Sequence, residues 1–103
     1  MIRRVDFEVD KGRNVELAPG ISLEISGTDV AYRRVSGWMW VLPDRRTIWL
    51  RGQGAQEPVV FYSTADGKKR ELVITSVTEK SAVGYLLLPG EEATTAEPNT
   101  AAE

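Results

Sequence analysis

The chain has 103 residues, with 13 Lys+Arg against 15 Asp+Glu and neither histidine nor cysteine. That length is one domain, and the missing residue types exclude Ser–His and Cys–His nucleophile pairs, thiolate metal sites and a histidine-based pH switch. No apolar run of about 18 residues is present to form a membrane-spanning helix.

Met1-Ile2-Arg3-Arg4 opens with the charge of a leader, but Asp6, Glu8 and Asp10 interrupt any apolar h-region. The chain therefore reads as cytoplasmic, although a fragment cut from a secreted protein would read the same. Val5, Phe7 and Val9 alternate with those three acids, the period-two signature of a half-buried strand. Lys11-Gly12-Arg13-Asn14 turns the chain, Val15 and Leu17 resume the alternation, and Pro19-Gly20 ends it. Ile21, Leu23 and Ile25 form the next strand, which the sequence stops at Gly27-Thr28-Asp29. A short strand over Val30–Val35 is expected to end at Ser36-Gly37.

Two hairpins follow. A tight turn around Pro43-Asp44-Arg45-Arg46 pairs Val41 with Ile48, Trp40 with Trp49 and Met39 with Leu50. A second turn at Asp66-Gly67 sets Phe61 against Leu72 and Val59 against Ile74. Ser76 to Ala82 is a candidate for one helical turn, and Val83 to Leu88 is the last strand before Pro89-Gly90. Eight or nine short strands at this spacing predict an all-β domain, a small antiparallel β-sandwich or barrel, over residues 1–90.

Residues 91–103 contain no large apolar residue, no base and four glutamates. Such a segment cannot bury enough surface to offset its ordering entropy, and it reads as a disordered acidic tail or linker stub. Without it, thirteen basic residues face eleven acidic ones, a balance too weak for a dedicated duplex-DNA binder.

A faint repeat is present. Leu23-Glu24-Ile25-Ser26 recurs as Leu72-Val73-Ile74-Thr75, and Gly37-Trp38-Met39-Trp40-Val41-Leu42-Pro43 recurs loosely as Gly84-Tyr85-Leu86-Leu87-Leu88-Pro89, at offsets of 49 and 47 residues. Short apolar strands resemble one another by default, so the repeat alone does not establish duplication.

The segment from Leu72 to Leu87, with Leu72, Ile74, Val77 and Tyr85 at the marking positions, resembles the E-to-F stretch of immunoglobulin-like domains. The resemblance implies a β-sandwich used for binding, with Tyr85 as a corner tyrosine, Leu87 in place of the buried cysteine and Trp38 or Trp40 as the core tryptophan. Ser81 stands where that family has Asp, and the chain lacks the cysteine pair and a final strand.

Few residues are arranged for chemistry. No serine has Lys three positions on. Asp6, Glu8 and Asp10 share a strand face, but their strict alternation with apolar residues fits a solvated outer face better than a carboxylate pair for hydrolysis. Asp6-x-Glu8-x-Asp10-x-Gly12 departs from a calcium loop, because Lys11 occupies the glycine position and Leu17 the closing one. Gly52-Gln53-Gly54 lacks the third glycine and helix of a dinucleotide site. No metal or cofactor is expected.

The tryptophans carry the functional expectation. In the first hairpin Met39, Val41, Ile48 and Leu50 share one face, and Trp38, Trp40, Trp49 and Arg51 share the other. If the aliphatic face is the core, the second face is an aromatic patch with Arg51 beside it and Arg45-Arg46 and Arg33-Arg34 near. If the tryptophans are the core, the tail, a loop or a second subunit covers the aliphatic face. The first arrangement predicts a non-catalytic interaction module, binding a protein partner through the Trp/Arg face or a sheet edge. A glycan- or single-stranded-nucleic-acid-binding module is the alternative, and a carboxylate-based enzyme is the third reading.

Overall fold

The computed structural model describes residues 2–42, 44–64 and 66–90; the expected acidic tail at 91–103 lies outside them. Eight antiparallel strands run in chain order as β1 (Ile2–Asp10), β2 (Asn14–Ala18), β3 (Ile21–Asp29), β4 (Arg34–Val41), β5 (Arg46–Gly54), β6 (Val59–Tyr62), β7 (Lys69–Val77) and β8 (Ser81–Pro89). They form two four-stranded sheets, β1-β8-β7-β6 and β2-β3-β4-β5. The fold is the all-β class the alternation predicts, and no helix occurs among the described residues.

Each strand turns its apolar set toward the other sheet. Phe7 and Val9 of β1, Leu23 and Ile25 of β3, Met39 and Val41 of β4, Leu50 of β5, Phe61 of β6, Leu72 and Ile74 of β7 and Leu86 of β8 are buried in one contiguous core. Burial of such side chains contributes roughly 1.5–3 kcal/mol apiece, and this inter-sheet layer is the main source of stability.

Several sequence expectations need correction. β3 does not stop at Gly27 but continues to Asp29, and the turn falls at 30–33. There Arg33 takes a left-handed φ of 56° and the Asp29 carboxylate accepts the Tyr32 amide at 3.2 Å. Ser36-Gly37 therefore lies inside β4. The glycine is present for close approach rather than for a turn: a methyl group at Gly37 would lie 2.0 Å from the Glu24 carbonyl oxygen. The helical turn proposed for Ser76–Ala82 is absent, because β7 runs to Val77 and β8 starts at Ser81. Thr78 Oγ1 makes that reversal by accepting the amides of Lys80 at 3.2 Å and Ser81 at 2.9 Å.

Both hairpins are shifted by two residues. Val41 pairs with Arg46, Met39 with Ile48 and Trp38 with Trp49; in the second, Val59 pairs with Leu72 and Phe61 with Arg70. The connections are longer than two-residue turns. Arg45 adopts φ 52° in the first, and in the second the Gly67 amide bonds back to the Ser63 carbonyl at 2.7 Å. A shift of two leaves every side chain on its original face, so the inward set is unchanged.

The faint repeat has a structural counterpart. In β3 a bulge follows Ile25 and Gly37 stands opposite; in β7 a bulge follows Ile74 and Gly84 stands opposite. A methyl group at Gly84 would lie 2.1 Å from the Val73 carbonyl oxygen, matching the approach at Gly37. The sheets are ordered alike, β2-β3-β4-β5 beside β6-β7-β8-β1, so the first strand of the chain takes the place in one sheet that β5 takes in the other. The Leu72–Leu87 segment is thus a hairpin of neighbouring strands. Tyr85 and Leu87 are half-buried, while Leu86 between them lies in the core.

Candidate functional site

The outer face of the β2-β3-β4-β5 sheet is read row by row from its pairings. One row runs Asn14–Glu24–Trp38–Trp49, and the next runs Glu16–Ser22–Trp40–Thr47. Trp38 and Trp49 are direct cross-strand neighbours, with ring centroids 5.7 Å apart and planes tilted by 58°. Such pairs contribute about 0.5–1.5 kcal/mol beyond their burial. Trp40 faces Thr47 rather than Trp49, a consequence of the two-residue shift.

All three indoles stand outside the core. Trp38 is half-buried, Trp40 is 37% exposed and Trp49 is 57% exposed, whereas Met39, Val41 and Leu50 beneath them are sealed from solvent. The Arg51 guanidinium lies 5.7 Å from the centre of the Trp49 ring, within cation–π range. It reaches back from a bulge, where Gly52 has φ 66° and its amide donates to Ser36 Oγ at 3.2 Å.

The remaining expected site residues are elsewhere. Arg46 does not join the aromatic face: its guanidinium donates to the Tyr62 carbonyl at 2.7 Å in the other sheet and lies 3.9 Å from the Asp44 carboxylate. Its register partner is the inward-facing Val41, so its side chain closes one end of the sandwich. Arg45 sits exposed in the hairpin connection. Arg34 flanks Gly52 in a shallow polar groove with Gly27, Thr28, Asp29 and Ser36, next to Trp38 along β4. Sequence reasoning missed Glu24, Ser22 and Thr47. The alternation of β3 placed the first two outward, but their row neighbours follow only from the inter-strand register.

The strongest carboxylate interactions are likewise outside the aromatic rows. Arg70 grips Asp66 through two hydrogen bonds of 3.1 Å, and with the Lys68 amide holds its pKa down to about 2. The Thr64 hydroxyl lowers the pKa of Asp44, which also accepts the Thr64 amide at 3.3 Å. Both acids pin the 63–68 connection. Asp6, Glu8 and Asp10 lie exposed along β1, where Arg4 Nε donates to Asp6 at 2.8 Å. Among the described residues no three potential metal ligands are gathered together. No helix among them is long and apolar enough to cross a membrane.

No protein-family model, curated protein or solved structure matches this chain. The reading of the face therefore rests on its own geometry: three adjacent indoles over a completed core, acids on the β2–β3 flank and an arginine on the β5 flank.

Proposed function

We propose that this domain is a non-catalytic protein-docking module whose contact surface is the Trp38/Trp40/Trp49 face. One observation carries the reading. The core below is already filled by Met39, Val41 and Leu50, so the indoles above it are not needed to complete it. Tryptophan and arginine dominate the energetics of protein interfaces, and contiguous apolar patches on small domains mark contact sites. The tilt of 58° between Trp38 and Trp49 leaves no single flat platform, which favours an irregular protein surface over the face of a sugar ring.

The test is photo-crosslinking from position 49. A benzophenone amino acid at Trp49 should give discrete adducts in the producing cell that the same probe at Glu8, on β1 of the opposite sheet, does not give. Equal adduct patterns at the two positions refute the reading.

The groove beside Trp38 favours a second reading, a hydroxylated ligand whose ring rests on Trp49 and whose hydroxyls meet Asp29, Arg34 and Ser36. A saccharide would change tryptophan fluorescence with little salt dependence. Single-stranded nucleic acid would do so with steep salt dependence.

A further inference from the structure

We infer that the partner at this face is a second copy of the chain, related by a two-fold axis running along β4. The inference rests on the docking reading above and names its occupant. It is drawn from the distribution of charge across the sheet. β3 and β5 flank β4 at equal distances, one strand spacing of about 4.8 Å on each side. Stacking two such faces about an axis along β4 lays β3 of each copy over β5 of the other. An axis in this direction keeps each residue at its own level along the strand.

The residues that then meet are complementary. Glu24 of one copy opposes Trp49 of the other, since both lie in the row through Trp38. Arg51 stands further along β5 at the bulge, with its guanidinium 5.7 Å from the centre of the Trp49 ring and so within reach of that level. Two Glu24–Arg51 pairs result, one on each side of the axis. In the next row Ser22 meets Thr47, hydroxyl to hydroxyl. Trp38 and Trp40 lie on the axis and pack against their own copies, as an isologous contact requires. An axis across the strands at this row would instead stack Glu24 on Glu24, which opposes association.

The dimensions are those of a weak, transient dimer. About an axis on β4 three strands overlap, and three strands at about 4.8 Å by about six residues at about 3.3 Å cover roughly 300 Å² of sheet per copy, about 600 Å² for the pair. That is below the size of a standard interface, so association is expected at the weak end, on the order of 100 μM.

The experiment is sedimentation equilibrium of the full chain from about 5 to 500 μM, a span chosen to cover such weak association. Wild type should rise toward twice its monomer mass, with a blue shift in tryptophan emission. Glu24→Arg and Arg51→Glu, each shown folded by circular dichroism, should weaken association by about tenfold or more, because each places like charges together twice. A one-to-one mixture of these two variants should restore it, since the mixed dimer regains two opposite-charge pairs. A wild type that stays monomeric throughout overturns the inference, as does a dimer that neither variant weakens or a mixture that fails to recover. The crosslinking assay keeps the broader reading separate. Adducts from position 49 to other proteins, with a monomeric wild type, remove the second copy and leave the docking face standing; no adduct of either kind removes both.

Discussion

Replacing Gly37 by alanine tests the account of the sheet that presents the site. The added methyl carbon would lie 2.0 Å from the Glu24 carbonyl oxygen and 3.0 Å from the Ile25 Cα, all backbone atoms that have no rotamer to retreat into. Relief requires β3 and β4 to part by about 1 Å locally, which stretches ladder hydrogen bonds of about 2.9 Å past their useful range. Losing two such bonds costs about 1–2 kcal/mol, and overpacking a filled layer adds about 1–3 kcal/mol. The expected destabilisation is about 3–4 kcal/mol, a fall in Tm of roughly 15–25 °C for a domain of this size. The sign is informative, because Gly→Ala at an unstrained position stabilises by about 0.4–1 kcal/mol through the unfolded chain. Urea denaturation read by far-ultraviolet circular dichroism gives the free energy directly. Gly27→Ala is the control: a methyl group there meets nothing within 4 Å, so it should be neutral or stabilise by up to about 1 kcal/mol. A Gly37→Ala protein as stable as that control would refute the close approach at the bulge.

The same comparison at Gly84→Ala should give a loss at least as large, because its methyl group would also lie 2.9 Å from Phe7 Cζ. Trp49→Ala should lower the unfolding free energy by no more than about 2 kcal/mol, whereas its sealed neighbour Leu50→Ala should cost about 2–5 kcal/mol; equal losses would place Trp49 in the core. Asp66, with its pKa depressed to about 2, and Asp44, also depressed, both contribute stability that is complete above the ordinary carboxylate value of 3.8. That stability is lost as pH falls toward 2, so midpoints measured from pH 6 to pH 2 should drop, and Asp66→Asn should flatten the lower part of the curve. Thr78→Val should cost about 1–2 kcal/mol in the same denaturation assay, since two amides lose their acceptor.

How much of this was legible in the residues depended on the length scale of each signal. Alternation is local, so Val5-Phe7-Val9 and Ile21-Leu23-Ile25 disclosed both strands and the faces they bury. Pairing is not local. Trp40 pairs with Thr47 rather than Trp49 because the turn is centred one residue earlier than the sequence suggests, which moves every pair by two and makes Trp38 the neighbour of Trp49. Glycine misled where it serves the sheet: Gly27 and Gly37 read as breakers, yet both lie within strands at a bulge. The face assignment survived these errors because a two-residue shift preserves side-chain direction. Arg46 was misplaced for the complementary reason. Nothing in its neighbours reveals that the turn aims it at the Tyr62 carbonyl of the other sheet.

The internal likeness of the two sheets sharpens the case for one face over the other. Tyr85 follows Gly84 as Trp38 follows Gly37, and each is an aromatic ring beside the strand that completes its sheet. On the β1 side that strand offers Arg4, Asp6 and Glu8. The Arg4 guanidinium lies 4.1 Å above the Tyr85 ring and is tied to Asp6 at 2.8 Å, so the chain covers this aromatic itself. On the β5 side the corresponding residues are Thr47, Trp49 and Arg51, and the place of the acid is taken by a second indole that is more than half exposed. A charged strand on an outer face keeps a domain soluble and its edge unpaired. Exchanging that charge for an indole gives up this protection along β5. The same framework thus carries one aromatic covered by an arginine tied to its own acid and one indole left more than half exposed, and the difference resides in three alternate residues of a single strand.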